Sequence, residues 1–294
     1  VSEIDIEHLQ QWVGKQETRE DVIALSTARA MAATLDWDAV PNTGDELATP
    51  WHWLYFLATE RQSRIGSDGH PQRGGFLPPV TLPRRMWASG DVRFAQPLLI
   101  GDSVKRISTV TSVTHKVGGS GDLVFVVVRH EIYARGQLAV SEDQNIVYRA
   151  DPAPGAPPSP AVAPRQVAQF NRELFADPVL LFRFSALTFN SHRIHYDRDY
   201  AINEEGYAGL VVQGPLSATL LLDLVRTEAR TAGVVGDIES YDYRALRPLI
   251  AGHPFQVQGC RDEQGVSLWV VDHTGAMTMQ ARVGLRQASA GADQ

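Results

Sequence analysis

Residues 188–201 read TFNSHRIHYDRDYA and place two histidines, an asparagine and two aspartates within fourteen positions. Imidazole has the side-chain pKa nearest neutrality, so His192 and His195 are candidates to take or give protons. Asn190 cannot ionise; its amide only donates and accepts hydrogen bonds, which suits it to hold a water for His195. Within twenty residues, Gln213-Gly214-Pro215 opens an apolar helix candidate. Backbone N–H groups at a helix N-terminus face negative charge, and glycine lets a ligand approach them. Together these residues suit proton transfer beside an oxygen that gains charge. Bland roles compete: Asn190 as an Asx-turn residue, His192 as a loop brace, Asp197 and Asp199 as N-cap and first-turn acids. His192, His195 and Asp197 also have metal-ligand types, but spacings of three and then two follow no metal motif.

The elements that position these residues come in two related sets. RFAQPLLIGDSV from Arg93 aligns without a gap on RALRPLIAGHPF from Arg244, matching Arg, Pro, Leu and Gly at one offset of 151 residues. Duplication of one unit explains the match. Each copy precedes β-rich runs broken by glycine turns: SVKRISTVTSVTHKV, GDLVFVVVRHEIYAR and QLAVSEDQNIVYRA in the first half, FQVQGCRDEQ, VSLWVVDHTG and AMTMQARVGLR in the second. Each is preceded by a proline-led helix candidate, TPWHWLYFLATERQS and QGPLSATLLLDLVRTEAR. A Gly/Pro-rich insertion, GSDGHPQRGGFLPP, follows the first. ADPAPGAPPSPAVAP at 150–164 carries six prolines and reads as a linker. The expectation is α+β: an N-terminal unit 1–149, the linker 150–164 and a C-terminal unit 165–294.

Composition narrows the function classes. A net charge of −7 and a pI near 5.7 argue against sequence-independent nucleic-acid binding. No apolar stretch reaches membrane-span length, and the acidic N-terminus does not read as a secretory signal, so a cytoplasmic protein is expected. A single cysteine, Cys260, excludes an internal disulfide and a Cys-based zinc site.

FSALTFNSHRIHYDRDYA followed by GLVVQGPL resembles the MaoC-like, (R)-specific enoyl-CoA hydratase (hydratase 2) family. The chain keeps that family's histidine (His195), the aliphatic residue before it (Ile194) and the small residue after it (Ala201). It departs at the Gly, Asp, Asn and Pro positions. Asn190 stands where the family has its carboxylate, and Gln213 where a histidine is frequent. Together with LPRRMWASGDVRFAQPLLIGDSV, these segments are most similar to the mesaconyl-C4-CoA (3-methylfumaryl-CoA) and itaconyl-CoA hydratases.

The resemblance implies a double hot-dog fold, in which each antiparallel sheet wraps a central helix. It also implies reversible hydration of an enoyl-CoA thioester carrying a branched C5 dicarboxylic acyl group. His195 is then the base, Asn190 orients the water and the Gly214 amide forms an oxyanion hole. Arg193, Arg84, Arg85 and Gln213 are candidates for substrate binding, a guanidinium suiting either CoA phosphates or an acyl carboxylate. The first half, lacking the motif, is expected to be catalytically inert and to widen the substrate pocket. No cofactor is called for, the partner is an acyl-CoA, and a homodimer stays open. Two alternatives remain: a (3R)-hydroxyacyl-ACP or long-chain acyl-CoA dehydratase, and an inactive acyl-CoA-binding subunit.

Overall fold

The computed structural model describes residues 4–118, 121–151, 160–229, 234, 236–263 and 265–286. Residues 152–159 of the proline-rich segment and Gln264 of the expected Gln-Gly turn lie outside the described residues. Ten strands form one antiparallel sheet: β1 (Gln16–Val22), β2 (Arg84–Phe94), β3 (Ser103–Gly118), β4 (Gly121–Ala134), β5 (Gln137–Arg149), β6 (Phe170–Phe175), β7 (Asp237–Ala245), β8 (Pro254–Asp262), β9 (Gly265–Val271) and β10 (Met277–Arg286). Their order is β1-β3-β4-β5-β2-β7-β10-β9-β8-β6, which reads the same from either end once five is subtracted from each second-half strand number. The six β-rich runs of the sequence are β3–β5 and β8–β10.

The seam between the halves is the β2–β7 pair. Asp91 lies opposite Asp242, so the residues that face each other differ by the same 151 positions as the repeat. A local two-fold relation therefore passes through this pair. The repeat glycines, Gly101 and Gly252, both have positive φ (105° and 88°), where a Cβ is disfavoured. Beside them Leu99 bridges Glu46 and Ile250 bridges Val211, again at equivalent positions.

The halves differ in their helices. In the second, α5 (Gly214–Leu224) starts at a proline as expected, and nine of its residues are buried beneath β8–β10. A helix apolar on all sides needs such a wrapping sheet. The matching first-half segment does not form the expected helix. After Pro50 it makes one 3₁₀ turn, Trp51–Leu54, and leaves through Phe56 at φ 57°. Aromatic side chains are mediocre helix formers, and here tertiary partners claim them. Trp51 packs on Trp37 at 4.4 Å, and Trp53 meets Trp87 and Tyr243 edge-on at 5.4 and 5.6 Å.

The remaining helices are α1 (Ile6–Gln10), α2 (Leu25–Thr34), α3 (Pro178–Thr188) and α4 (Arg198–Asn203). Among the described residues no helix is long and apolar enough to cross a membrane.

Candidate active site

Local capping chemistry delivers His195 to the wall of a cavity of about 1800 Å³ that both halves line. Asp177 caps α3 through the Leu180 amide, and Phe189 ends it in the left-handed region at φ 50°. Asn190 then closes an Asx turn, its Oδ1 accepting from the His192 amide at 3.1 Å. A 3₁₀ turn, Arg193–His195, follows. Asp197 caps α4 through the Tyr200 amide, and Asp199 sits in its first turn.

His195 is buried, and its Nδ1 lies 2.7 Å from the Val211 carbonyl. A carbonyl only accepts, so Nδ1 carries the hydrogen and Nε2 keeps its lone pair. Burial, reinforced by the charges of His192 and His70 and only partly offset by that hydrogen bond, lowers the imidazole to about 3. The ring is therefore neutral near pH 7.

Gly214 lies on the same wall, at the start of α5, where no side chain caps the helix. A Cβ there would stand 2.9 Å from Trp87 Cε3, so glycine is what lets Trp87 pack against the first residue of the helix. Trp87 is held by stacking on Tyr243 at 4.1 Å. Behind this stack Glu142 is buried, accepting from Trp53 Nε1 and Tyr243 Oη at 2.9 Å each, with His52 Nε2 at 3.3 Å. Burial pushes its carboxyl up, but the hydrogen bond and charge of His52 prevail and hold it at about 2.

The first half also contributes titratable groups. Its Gly/Pro-rich insertion docks on the loop that carries His195: Ser191 Oγ donates to the Gly69 carbonyl at 2.6 Å and the Arg193 amide to the Asp68 carbonyl at 2.9 Å. Gly69 has φ 90°, and a Cβ there would collide with the Ser191 carbonyl oxygen. The docked loop carries Asp68 and His70, whose Nδ1 lies 3.1 Å from Asp68 Oδ2. The His70 ring packs 4.1 Å from His192, which lies edge-on to His195 at 5.4 Å. Sequence reasoning missed Asp68, His70 and Glu205; the only signal was a histidine inside an insertion too polar to be a core element.

Asp68, His70 and His192 place potential metal-ligand atoms within 4.8 Å of one another. They replace the trio of His192, His195 and Asp197, because Asp197 is turned to its cap and to Arg193.

Several candidate binding residues are placed elsewhere or committed. Gln213 is fully buried off the cavity wall, its Nε2 donating to the Leu181 carbonyl and Ser185 Oγ at 2.9 Å each. It ties α5 to α3 and does not line the cavity. Arg193 also lies off the wall: it pairs with Asp197 at 2.7 Å and donates to the Ser67 carbonyl at 3.0 Å. Arg84 reaches the wall, but its donors go to Asp151 at 2.7 Å and to the Glu205 carbonyl, and its guanidinium lies over Tyr207. Arg85 lines the cavity, and among the described residues no carboxylate lies within ion-pair distance of it. A bulge between Trp87 and Ser89 carries residues 84–87 beyond the β2–β7 pairing, toward the start of α5.

The sequence profile of the family "Hydroxyacyl-thioester dehydratase type 2" matches residues 50–251. The mesaconyl-C(4)-CoA hydratase of Chloroflexus aurantiacus is 45% identical over 275 residues, 93% of this chain and 96% of that one. A MaoC-like dehydratase from Phytophthora capsici superposes with a TM-score of 0.72 at 14% identity, over 98% of this chain and all of that one. A Mycobacterium tuberculosis protein described as a double hot-dog gives 0.58 at 13% identity, over 93% of this chain and 96% of that one. With its duplicated sheet, the chain belongs to the hydroxyacyl-thioester dehydratase type 2 family, hydro-lyases of acyl thioesters on a double hot-dog fold.

Proposed function

We propose that this chain hydrates a branched C5 dicarboxylic enoyl-CoA of the mesaconyl-C4-CoA type, reversibly. The observation that carries the reading is the 45% identity to a mesaconyl-C(4)-CoA hydratase over nearly the whole of both chains. His195 takes the proton from water, its neutral Nε2 presented by the Val211 carbonyl. The Gly214 N–H faces the thioester oxygen as enolate charge develops, helped by the positive end of α5. Asn190, whose Oδ1 already accepts from the His192 amide, is left to orient water through its amide nitrogen.

Arg85 is the group for the acyl carboxylate. It is the arginine of the LPRRMW run whose charge is not already matched by a carboxylate, and a planar guanidinium pairs with carboxylate in bidentate fashion. The substrate runs in the space left where the first half has no central helix.

Purified protein with crotonyl-, mesaconyl-C4- and itaconyl-CoA, followed at the enoyl-thioester absorbance, tests the assignment. The mesaconyl thioester should give the highest kcat/KM. Preference for crotonyl-CoA would refute the dicarboxylic substrate, and no turnover of any of the three would refute the hydratase reading.

A further inference from the structure

Hydration of a polarised double bond moves two protons: one leaves the water and one arrives at Cα. His195 accounts for the first. Asn190 cannot supply the second, because an amide does not titrate. Of the other imidazoles on this wall, His192 stands beside His195, with ring centroids 5.4 Å apart and planes at 87°. At that separation the rings touch edge to face, so the two imidazoles border the cavity side by side.

We propose that His192 is a second catalytic residue, which delivers the proton to Cα, and that Glu205 and the Asp68–His70 pair are positioning residues for its ring. This rests on the hydratase reading above. Bracing of the loop does not account for His192, since its neighbours already supply the brace. Asn190 closes the turn, and Ser191 and Arg193 bind the first-half insertion. His192 Nε2 instead lies 3.6 Å from Glu205 Oε1. That carboxyl is held below its ordinary range, first by its polar contact with His192 and also by the charges of His192 and Arg84. A proton on His192 thus has a counter-charge beside it. On its other side the ring packs against His70, whose own Nδ1 is taken by Asp68.

In the hydration direction the water O–H bond breaks, its proton passes to His195 Nε2, and the oxygen bonds to Cβ. The C=C pair moves through Cα onto the thioester oxygen, facing Gly214. As that enolate collapses, Cα takes a proton from His192. His195 ends protonated and His192 neutral, and one proton exchanged through water resets the pair. Dehydration runs the same steps backwards.

His192→Phe keeps the ring packing and loses the proton; His192→Gln keeps a polar group beside Glu205 without titrating. Both should lower kcat by roughly 10²–10⁴-fold and change KM less than threefold. Asn190→Asp retains the acceptor for the His192 amide and adds a titratable oxygen on the same wall. Placed in the His192→Phe background, it should recover at least tenfold of the lost kcat. Either single variant within threefold of wild-type kcat, a loss confined to KM, or a double variant no better than His192→Phe would overturn the proposal. Those outcomes leave the hydratase reading standing as long as wild type turns over an enoyl-CoA; an inactive wild type refutes that reading and this proposal together.

Discussion

Arg85→Met separates acyl recognition from chemistry. Arg85 lies opposite Tyr148 in the β2–β5 register, lines the cavity, and has no carboxylate partner among the described residues. Its neighbour Arg73 donates to the carbonyls of Val80, Leu82 and Pro83, so that guanidinium is committed to the backbone. Removing the Arg85 charge unpairs no buried acid and relieves like-charge repulsion with Arg73, so the fold should survive. A charge-assisted contact to a substrate carboxylate contributes about 1.5–3 kcal/mol. At about 1.4 kcal/mol per tenfold, kcat/KM for mesaconyl-C4-CoA should fall by roughly 10- to 150-fold. Crotonyl-CoA lacks that carboxylate and should lose less than threefold. Arg84→Met is the control: it strips partners from Asp151 and Glu205, so its losses should be equal on both substrates. Equal losses on both substrates for Arg85→Met, or none on mesaconyl-C4-CoA, would refute this account of specificity.

Two further outcomes follow from the buried groups. His195→Gln, which keeps a donor for the Val211 carbonyl, should lower kcat on both substrates by roughly 10²–10⁴-fold. Because burial lowers His195 to about 3, wild-type kcat/KM should show no acid limb from this group between about pH 5 and 8, which a pH–rate profile checks. Glu142→Ala leaves Trp53, Tyr243 and His52 without their acceptor inside the seam and should destabilise by about 3–5 kcal/mol in denaturant melts at pH 7. Glu142 is depressed from 4.5 to about 2, so its stabilisation, on the order of 3 kcal/mol, is present above pH 4.5 and is lost as pH falls towards 2. Wild type and variant should therefore converge in stability at low pH.

Alternation and glycine turns made β3–β5 and β8–β10 legible, and the 151-residue repeat contained the seam, since Asp91 and Asp242 are equivalent and face one another. The aromatic run after Pro50 misled because its pattern suits a helix, while Trp37, Trp87, Tyr243 and Glu142, distant in sequence, draw it out of one. His195 and Gly214 could be singled out by residue type and spacing, and both line the cavity. Arg193 and Gln213 have suitable types but spend their donors locally, and no spacing rule reveals where a donor goes. Asp68 and His70 were hidden for a further reason. Their place beside His192 depends on Gly69 meeting Ser191 across the two halves, a contact between residues more than a hundred positions apart.

The absence of one central helix is what most distinguishes the two copies of the unit. An eleven-residue helix such as α5 is about 16 Å long and about 10 Å across, a cylinder on the order of 1300 Å³. The cavity measures about 1800 Å³, and in the first half the concave face that would wrap such a helix lines it instead, through Val128, Ile132, Ile146 and Tyr148. Residues 67–70, in the insertion that follows, cross to the second half and set Asp68 and His70 against His192. The missing helix and the crossing segment thus together shape the cavity and its polar edge. A first half with a full central helix would fill most of the cavity, so the shortened helix is what leaves room beside the polar groups that residues 67–70 bring across.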